Sequence, residues 1–161
     1  PLATVASDFN SPLHMLTRSF SLAGRLPVGV PVADLGDTRR HAVTVTEETV
    51  DDYAAVTGDE NPLHTDETYA AEGLFGGRVA HGMFTAGVVS AALAALDGDI
   101  VYVSQEFSFE APVRPGDTVT AEVEVLEALD GDRLRVDTVA EVNDEPVLTG
   151  EATVLSVPHE S

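Results

Sequence analysis

Asp59 and His64 bring a carboxylate and an imidazole within five residues of each other in one short polar segment. Histidine is the side chain whose ordinary pKa lies nearest neutrality, and a carboxylate beside it can orient it or share a water molecule with it. Gly58 and Pro62 favour a turn here, so the two side chains can converge. The pair is suited to general acid–base chemistry on a bound water. The residue types alone leave a second interpretation open, in which Asp59 caps a turn and His64 is a packed core histidine.

The longest uncharged stretch of the chain, from Gly82 to Leu96, follows this segment and must help to position it. Its alanine and leucine content favours a helix, and a helix that is apolar on every face needs other elements wrapped around it. A membrane span takes about 20 apolar residues, and this run is shorter and contains glycine, threonine and serine. The sequence therefore predicts a buried core helix.

Shorter elements are predicted on the amino-terminal side of that helix. Residues 41–45 have the pattern of a short strand, and Thr46 is a suitable N-cap for a helix whose first turn carries two acidic residues. Gly58 offers the end of that helix. We expect a loop over residues 58–64 and a second short helix over residues 66–72.

Four strand-like runs follow the long helix, and one of them alternates apolar and polar residues strictly. Such alternation is typical of an antiparallel strand with one buried face. The runs cover residues 100–110, 118–127, 134–142 and 146–157. The sequence predicts an α+β domain with a curved antiparallel sheet wrapped around one long helix, the hot-dog arrangement. A sheet of this size leaves an edge strand exposed, which favours pairing of two subunits.

The domain organisation is simple. Residues 41–158 are predicted to form a single domain, and residues 1–40 an arm or irregular lead-in that packs on the domain or on a partner subunit. The chain has no cysteine, so disulfides and thiolate chemistry are excluded. Because the amino terminus lacks the pattern of a secretory signal, we expect a cytoplasmic location.

The charge of the chain is strongly one-sided. A formal net charge of −20 disfavours nucleic acid and anionic membranes as partners. All eight basic residues are arginine, and none is lysine. This composition resembles that of proteins from salt-loving organisms, in which concentrated salt screens the repulsion between surface carboxylates. An ordinary acidic protein is the alternative.

The motifs on these elements resemble one known family. The pattern Gly58-Asp-x-Asn-Pro-Leu-His64, followed by His81-Gly-Met at the start of the apolar helix, is similar to that of the MaoC-like (R)-specific enoyl-CoA hydratases. The stretch from Phe107 to Asp117 resembles the strand and turn that follow the helix in this family. The resemblance covers roughly residues 45–155.

The resemblance implies a hot-dog dimer that adds water to a trans-2-enoyl-CoA and gives the (R)-3-hydroxyacyl-CoA, a unit for polyester synthesis or fatty acid turnover. Asp59 and His64 match the family's catalytic pair, which would hold and activate the water. Gly82 matches the glycine whose N–H polarises the thioester carbonyl. A helix start suits that role, because its N–H groups are unpaired and a missing Cβ lets the carbonyl approach. The hydratase interpretation requires the Gly82 N–H, the Asp59 carboxylate and the His64 imidazole to line one pocket.

The remaining site residues are assigned less directly. Asn61 is expected to hold the loop by side-chain bonds, with substrate binding as a second role. The resemblance places a polar residue at Ser90, near the catalytic carboxylate, as a substrate-binding candidate; a hydrogen bond back to a carbonyl of its own helix is the alternative. His81 is expected to be a structural histidine at the helix start. Arg78 and Arg114 are candidates for the phosphates or pantetheine of coenzyme A, with surface ion pairs as the alternative. No spacing suggests a metal site, and no separate cofactor is expected, since coenzyme A is part of the substrate.

Three alternatives keep the same fold. A dehydratase of related hydroxyacyl thioesters would run the reversible chemistry backwards. A thioesterase is disfavoured by the Asp-x-Asn-Pro-x-His loop. A non-catalytic module that binds acyl thioesters or mediates assembly would need neither Asp59 nor His64, so the presence of both favours an enzyme.

Overall fold

The computed structural model describes residues 29–159. These residues contain five strands and four helices. The predicted arm therefore falls mostly outside the described residues. In chain order the elements are β1 (Thr38–Thr44), α1 (Glu47–Thr57), α2 (Pro62–Thr65), α3 (Glu67–Ala71), α4 (Gly82–Leu93), β2 (Asp99–Phe109), β3 (Thr118–Ala128), β4 (Arg133–Val142) and β5 (Glu145–Val157).

The strands form one antiparallel sheet in the order β1-β3-β4-β5-β2. Strand β2 is thus an edge strand although it follows α4 directly in the chain. Its pairing with β5 is interrupted by a register shift at Val103, between Tyr102 and Ser104. The sheet together with the helices confirms the α+β class.

Helix α4 packs on one face of the sheet, against β1, β2, β3 and β4. The alternation predicted for β3 is observed, because its apolar positions are buried beneath the helix: Val119, Ala121, Val123 and Val125. Val89 and Leu93 of α4 are fully buried against them. This shared core fixes the amino terminus of α4 relative to the sheet.

Local signals set the ends of α1 as predicted. The Thr46 side chain accepts a hydrogen bond from the Thr49 N–H, and Thr49 bonds back to the Thr46 N–H, which completes a capping box. Gly58 ends the helix in the left-handed conformation with φ 76° and donates its N–H to Ala54. The segment that carries Asp59 therefore leaves α1 in a defined direction.

The structure differs from the sequence predictions at several boundaries. Strand β1 begins at Thr38, inside the predicted arm, and Ala33 before it belongs to the core. The predicted loop over residues 58–64 contains the single-turn helix α2, because Asn61 caps it and Pro62 suits a first helical position. The long helix ends at Leu93, and residues 94–96 continue as turns.

Helix α4 is also less completely enclosed than its composition predicts. Met83 is 57% exposed and Gly87 is exposed, on the side that faces away from the core. An apolar run without periodicity gives no sign of which side stays uncovered. No helix within residues 29–159 is long and apolar enough to cross a membrane.

Candidate active site

The segment between α1 and α2 carries the first candidate residue, Asp59, in an exposed position. Asn61 follows as the N-cap of α2, and its side-chain oxygen accepts the Leu63 N–H at 3.2 Å. The Asn61 N–H in turn lies 3.4 Å from a carboxylate oxygen of Asp59. Asn61 thus has the loop-holding contacts that its position predicted.

Helix α2 presents His64 as a partly buried side chain. Its Nδ1 lies 2.8 Å from the carbonyl oxygen of Val79. A carbonyl can only accept, so Nδ1 carries the proton and Nε2 is the bare nitrogen of the neutral ring. His64 therefore offers Nε2 as a proton acceptor.

Asp59 and His64 converge with a third side chain, His81. One carboxylate oxygen and one nitrogen from each ring all lie within 4.8 Å of one another. The two imidazoles are stacked, with ring centroids 3.9 Å apart and planes inclined by 31°. The spacing of these residues in the sequence did not predict this grouping, whose one carboxylate and two imidazoles are also groups that bind metal ions.

The start of α4 supplies the third predicted group. The Gly82 N–H donates to no acceptor among residues 29–159, as expected for a first helical residue. His64 and Gly82 both line one cavity of about 280 Å³, whose walls are otherwise mainly apolar. The prediction that three groups line one pocket is correct for His64 and Gly82 and wrong for Asp59. The Asp59 carboxylate lies within 4.8 Å of a ring nitrogen of His64 but outside the lining.

Gly82 also has a packing reason to lack a side chain. A Cβ at this position would lie 2.9 Å from the ring of Phe109, which lines the same cavity. Phe109 comes from the carboxyl end of edge strand β2 and is 53% exposed. The second aromatic wall residue, Phe75, was not singled out from the sequence. Phe109 was considered only as part of the stretch that resembles the family's strand and turn, without a role in the cavity.

Arg78 is engaged within the chain. Its side chain is 9% exposed, its Nε donates to the carbonyl oxygen of His64 at 2.6 Å, and it forms an ion pair with Asp51 of α1 at 2.5 Å. The ion pair that we kept as an alternative for Arg78 is thus present, between a buried guanidinium and an Asp51 side chain that is 58% exposed. The guanidinium ties α1 to the loop that carries His64.

Arg114 forms fewer side-chain hydrogen bonds with the described residues than Arg78 does. Its guanidinium donates to the carbonyl oxygen of Phe75, and its backbone N–H donates to Asp117 at 2.7 Å. The side chain is partly exposed and has no carboxylate within ion-pair distance among the described residues. Of the two arginines, Arg114 keeps more capacity for an external anion.

Ser90 lies apart from the cavity that His64 and Gly82 share. It lines a second groove of about 380 Å³ between α4 and edge strand β2, together with Met83 and Tyr102. Burial raises the pKa of the Tyr102 hydroxyl, and a hydrogen bond with Ser90 partly opposes that shift. Ser90 therefore lies in the groove with Tyr102 and does not line the cavity that contains His64 and Gly82.

Comparison with known proteins identifies the protein family to which the chain belongs. Residues 32–147 match the model of the MaoC-like domain family, so the chain belongs to that family. The (R)-hydratase PhaJ1 of Pseudomonas aeruginosa superimposes with a TM-score of 0.74 and 33% identity over 81% of this chain and 88% of that one. The predicted hot-dog fold is confirmed.

Two curated relatives have names that state an activity on CoA thioesters. A protein of Methylorubrum extorquens named 3-hydroxybutyryl-CoA dehydratase is 49% identical over 105 residues, 63% of this chain and 67% of that protein. A protein of Rhodospirillum rubrum named (R)-specific enoyl-CoA hydratase is 40% identical over 123 residues, 74% of this chain and 85% of that protein.

Proposed function

We propose that this protein catalyses the (R)-specific hydration of trans-2-enoyl-CoA to (R)-3-hydroxyacyl-CoA. The observation that carries the proposal is the shared cavity in which the imidazole of His64, with its bare Nε2, and the free N–H of Gly82 lie together. Membership of the MaoC-like family and the names of the relatives support hydratase or dehydratase chemistry on acyl-CoA thioesters.

The chemistry needs one water and no oxidant or reductant. Nε2 of His64 accepts a proton from the water while the carboxylate of Asp59 holds and orients it, and the hydroxide oxygen bonds to C3 of the enoyl group. C2 takes up one proton, so both enzyme groups end the cycle unchanged. The second proton transfer passes through the same Asp59, His64 and water network.

Gly82 acts on the other end of the reacting system. As water attacks C3, negative charge develops on the thioester oxygen, and an N–H donor aimed at it stabilises that charge. The amino terminus of α4 adds the positive end of the helix dipole. One such donor is worth roughly 3–4 kcal/mol in the transition state.

The substrate itself brings phosphates to an acidic protein. Arg114 is the better candidate for contact with coenzyme A, because its side chain is partly exposed next to Phe75 of the cavity wall. Arg78 is the weaker candidate, since its guanidinium is committed to Asp51 and to His64. Asn61 acts by holding the loop.

We propose a homodimer as the working form. The outer edge of β2 pairs with no strand among the described residues, and Val101, Tyr102 and Val103 on it are between 37% and 44% exposed. An unpaired edge with apolar side chains is stabilised when a second copy extends the sheet. The groove that contains Ser90 lies between this edge and α4, so the second copy would cover it.

The reverse reaction is the second candidate. Dehydration of 3-hydroxyacyl-CoA uses the same groups in the opposite order, and the name of the relative with 49% identity favours it. Both directions share one equilibrium, so an enzyme that catalyses one catalyses the other.

The direct test is the ultraviolet absorbance of the enoyl thioester in concentrated KCl. Crotonyl-CoA mixed with the protein should lose this absorbance, and longer enoyl-CoAs reveal the preferred chain length. Started from (R)-3-hydroxybutyryl-CoA, the same absorbance should appear. Silence in both directions at every chain length would favour a non-catalytic thioester-binding module.

A further inference from the structure

Two segments of the candidate site are joined by three hydrogen bonds, each from a side chain to a backbone carbonyl. Arg78 Nε donates to the carbonyl oxygen of His64 at 2.6 Å, and the His64 ring donates through Nδ1 to the carbonyl oxygen of Val79 at 2.8 Å. His81 Nε2 lies 2.9 Å from the carbonyl oxygen of Asp59. The segment 78–81 before α4 therefore fixes both ends of the loop that carries the proposed catalytic pair.

His81 is the least expected member of this set. It is 2% exposed, and its Nδ1 is buried without a hydrogen-bond partner among the described residues. Since the Asp59 carbonyl can only accept, Nε2 carries the proton and Nδ1 is the bare nitrogen. A buried polar atom without a partner costs free energy, which an apolar residue here would avoid. The bond to Asp59 is the contribution that an apolar residue could not make.

The ring of His81 also packs against two neighbouring aromatic side chains. It lies between the ring of His64, at 3.9 Å between centroids, and the ring of Tyr53, at 4.8 Å. His81 is absent from the lining of the cavity that contains Gly82. Its contacts are thus with Asp59, His64 and Tyr53, and it does not line the cavity.

We propose that His81 is a positioning residue of the hydratase site, an inference that rests on the function proposed above. By holding the Asp59 carbonyl it fixes the main chain from which that carboxylate extends. Its role goes beyond that of a helix-start histidine, because α4 receives no capping hydrogen bond from its side chain. The hydrogen bond to Asp59 is the interaction that supports activity, and the stack on His64 adds orientation.

Two substitutions separate the hydrogen bond from the ring. His81→Phe keeps a ring against His64 and removes the donor to Asp59. His81→Gln keeps an N–H donor at about the distance of Nε2 and removes the ring. His41→Gln, at an exposed position of β1, is the matched control for loss of an imidazole.

The kinetic readout is kcat and KM for crotonyl-CoA in concentrated KCl, with thermal unfolding of each variant measured alongside. We expect His81→Phe to lower kcat by about 10- to 100-fold with KM changed by less than about 3-fold, as for removal of groups that orient catalytic residues. His81→Gln should recover most of kcat, and His41→Gln should match the wild type. Equal kcat in the His81→Phe variant and the wild type, or equal losses in both His81 variants, would overturn the proposal.

A second readout does not depend on activity. Nitrogen NMR of the histidine rings should report the Nε2–H tautomer for His81 and the Nδ1–H tautomer for His64. The His64 and Asp59 resonances should move in His81→Phe more than in His81→Gln. An Nδ1–H tautomer for His81 would overturn the proposal. If the wild-type protein hydrates no enoyl-CoA, the proposed function fails, and this comparison alone decides whether His81 positions the loop.

Discussion

Asp59 and His64 have different surroundings although they act as a pair. Asp59 is exposed and its carboxylate, which accepts only a long hydrogen bond from the Asn61 N–H, can hold water. His64 is anchored through Nδ1 to Val79 and offers one nitrogen. An anchored ring with a fixed tautomer loses little orientation when it accepts a proton. The pair therefore divides into a group that binds the water and a base that is already in place.

Removing either group should abolish most activity without unfolding the protein. We expect Asp59→Asn and His64→Gln each to lower kcat by about 10²- to 10⁴-fold, the usual contribution of a positioned acid or base. Circular dichroism and thermal unfolding in concentrated KCl provide the folding control. A loss below 10-fold from both substitutions would rule out this pair as the catalytic groups.

At the scale of elements, the site is assembled where α1, α2 and the start of α4 meet. Arg78 links two of them, since it contacts Asp51 on α1 and the backbone of His64 on α2. Arg114 instead precedes β3 and contacts the backbone of Phe75. One arginine thus supports the catalytic loop, and the other lies beside the cavity wall with a partly free guanidinium.

Because Arg114 lies beside the cavity wall and Arg78 supports the catalytic loop, we expect substitution of Arg114 to change KM and substitution of Arg78 to change kcat. Arg114→Gln should raise KM for crotonyl-CoA and leave KM unchanged for a crotonyl thioester that lacks the nucleotide and its phosphates. Arg78→Gln should lower kcat for both substrates and reduce the free energy of unfolding by about 1–3 kcal/mol, because it removes the charged donor from the partly buried carbonyl of His64. The assignment is wrong if Arg78→Gln raises KM for the CoA substrate alone.

Contacts between residues close in the chain could be predicted from the sequence, whereas contacts between distant residues could not. Thr46 and Gly58 delimit α1 through contacts with near neighbours in the chain, and such contacts are readable from sequence. The bond between His81 and Asp59 joins residues 22 positions apart, so it depends on packing that no local pattern encodes. The exclusion of Asp59 from the cavity lining has the same origin.

At the scale of the whole molecule, carboxylates form a continuous row across the outer face of the sheet. Glu124 pairs with Asp137, Asp137 with Glu151, and Glu151 with Glu106, so four neighbouring strands each contribute one exposed acid. Like charges directly opposite each other destabilise a sheet. Arg135 offsets part of this through its ion pairs with Glu151 and Glu127.

Salt should therefore stabilise the protein, as the composition predicts for a halophilic origin. At 1 M salt the screening length is about 3 Å, shorter than the spacing of paired strands. We expect the melting temperature to rise steadily from dilute buffer to molar KCl. Asp137→Asn, in the middle of the row, should add about 0.2–1 kcal/mol in dilute buffer and show a smaller gain from salt. A melting temperature independent of KCl would contradict this account.

The stereochemistry of the product is the sharpest test of the proposed hydration. Crotonyl-CoA is incubated with the wild-type protein and with the Asp59→Asn variant in concentrated KCl, and the 3-hydroxybutyryl-CoA formed is resolved by chiral chromatography. We expect the (R) product alone from the wild type, and almost no product from the variant. A racemic or (S) product, or equal yields from the two proteins, would contradict it.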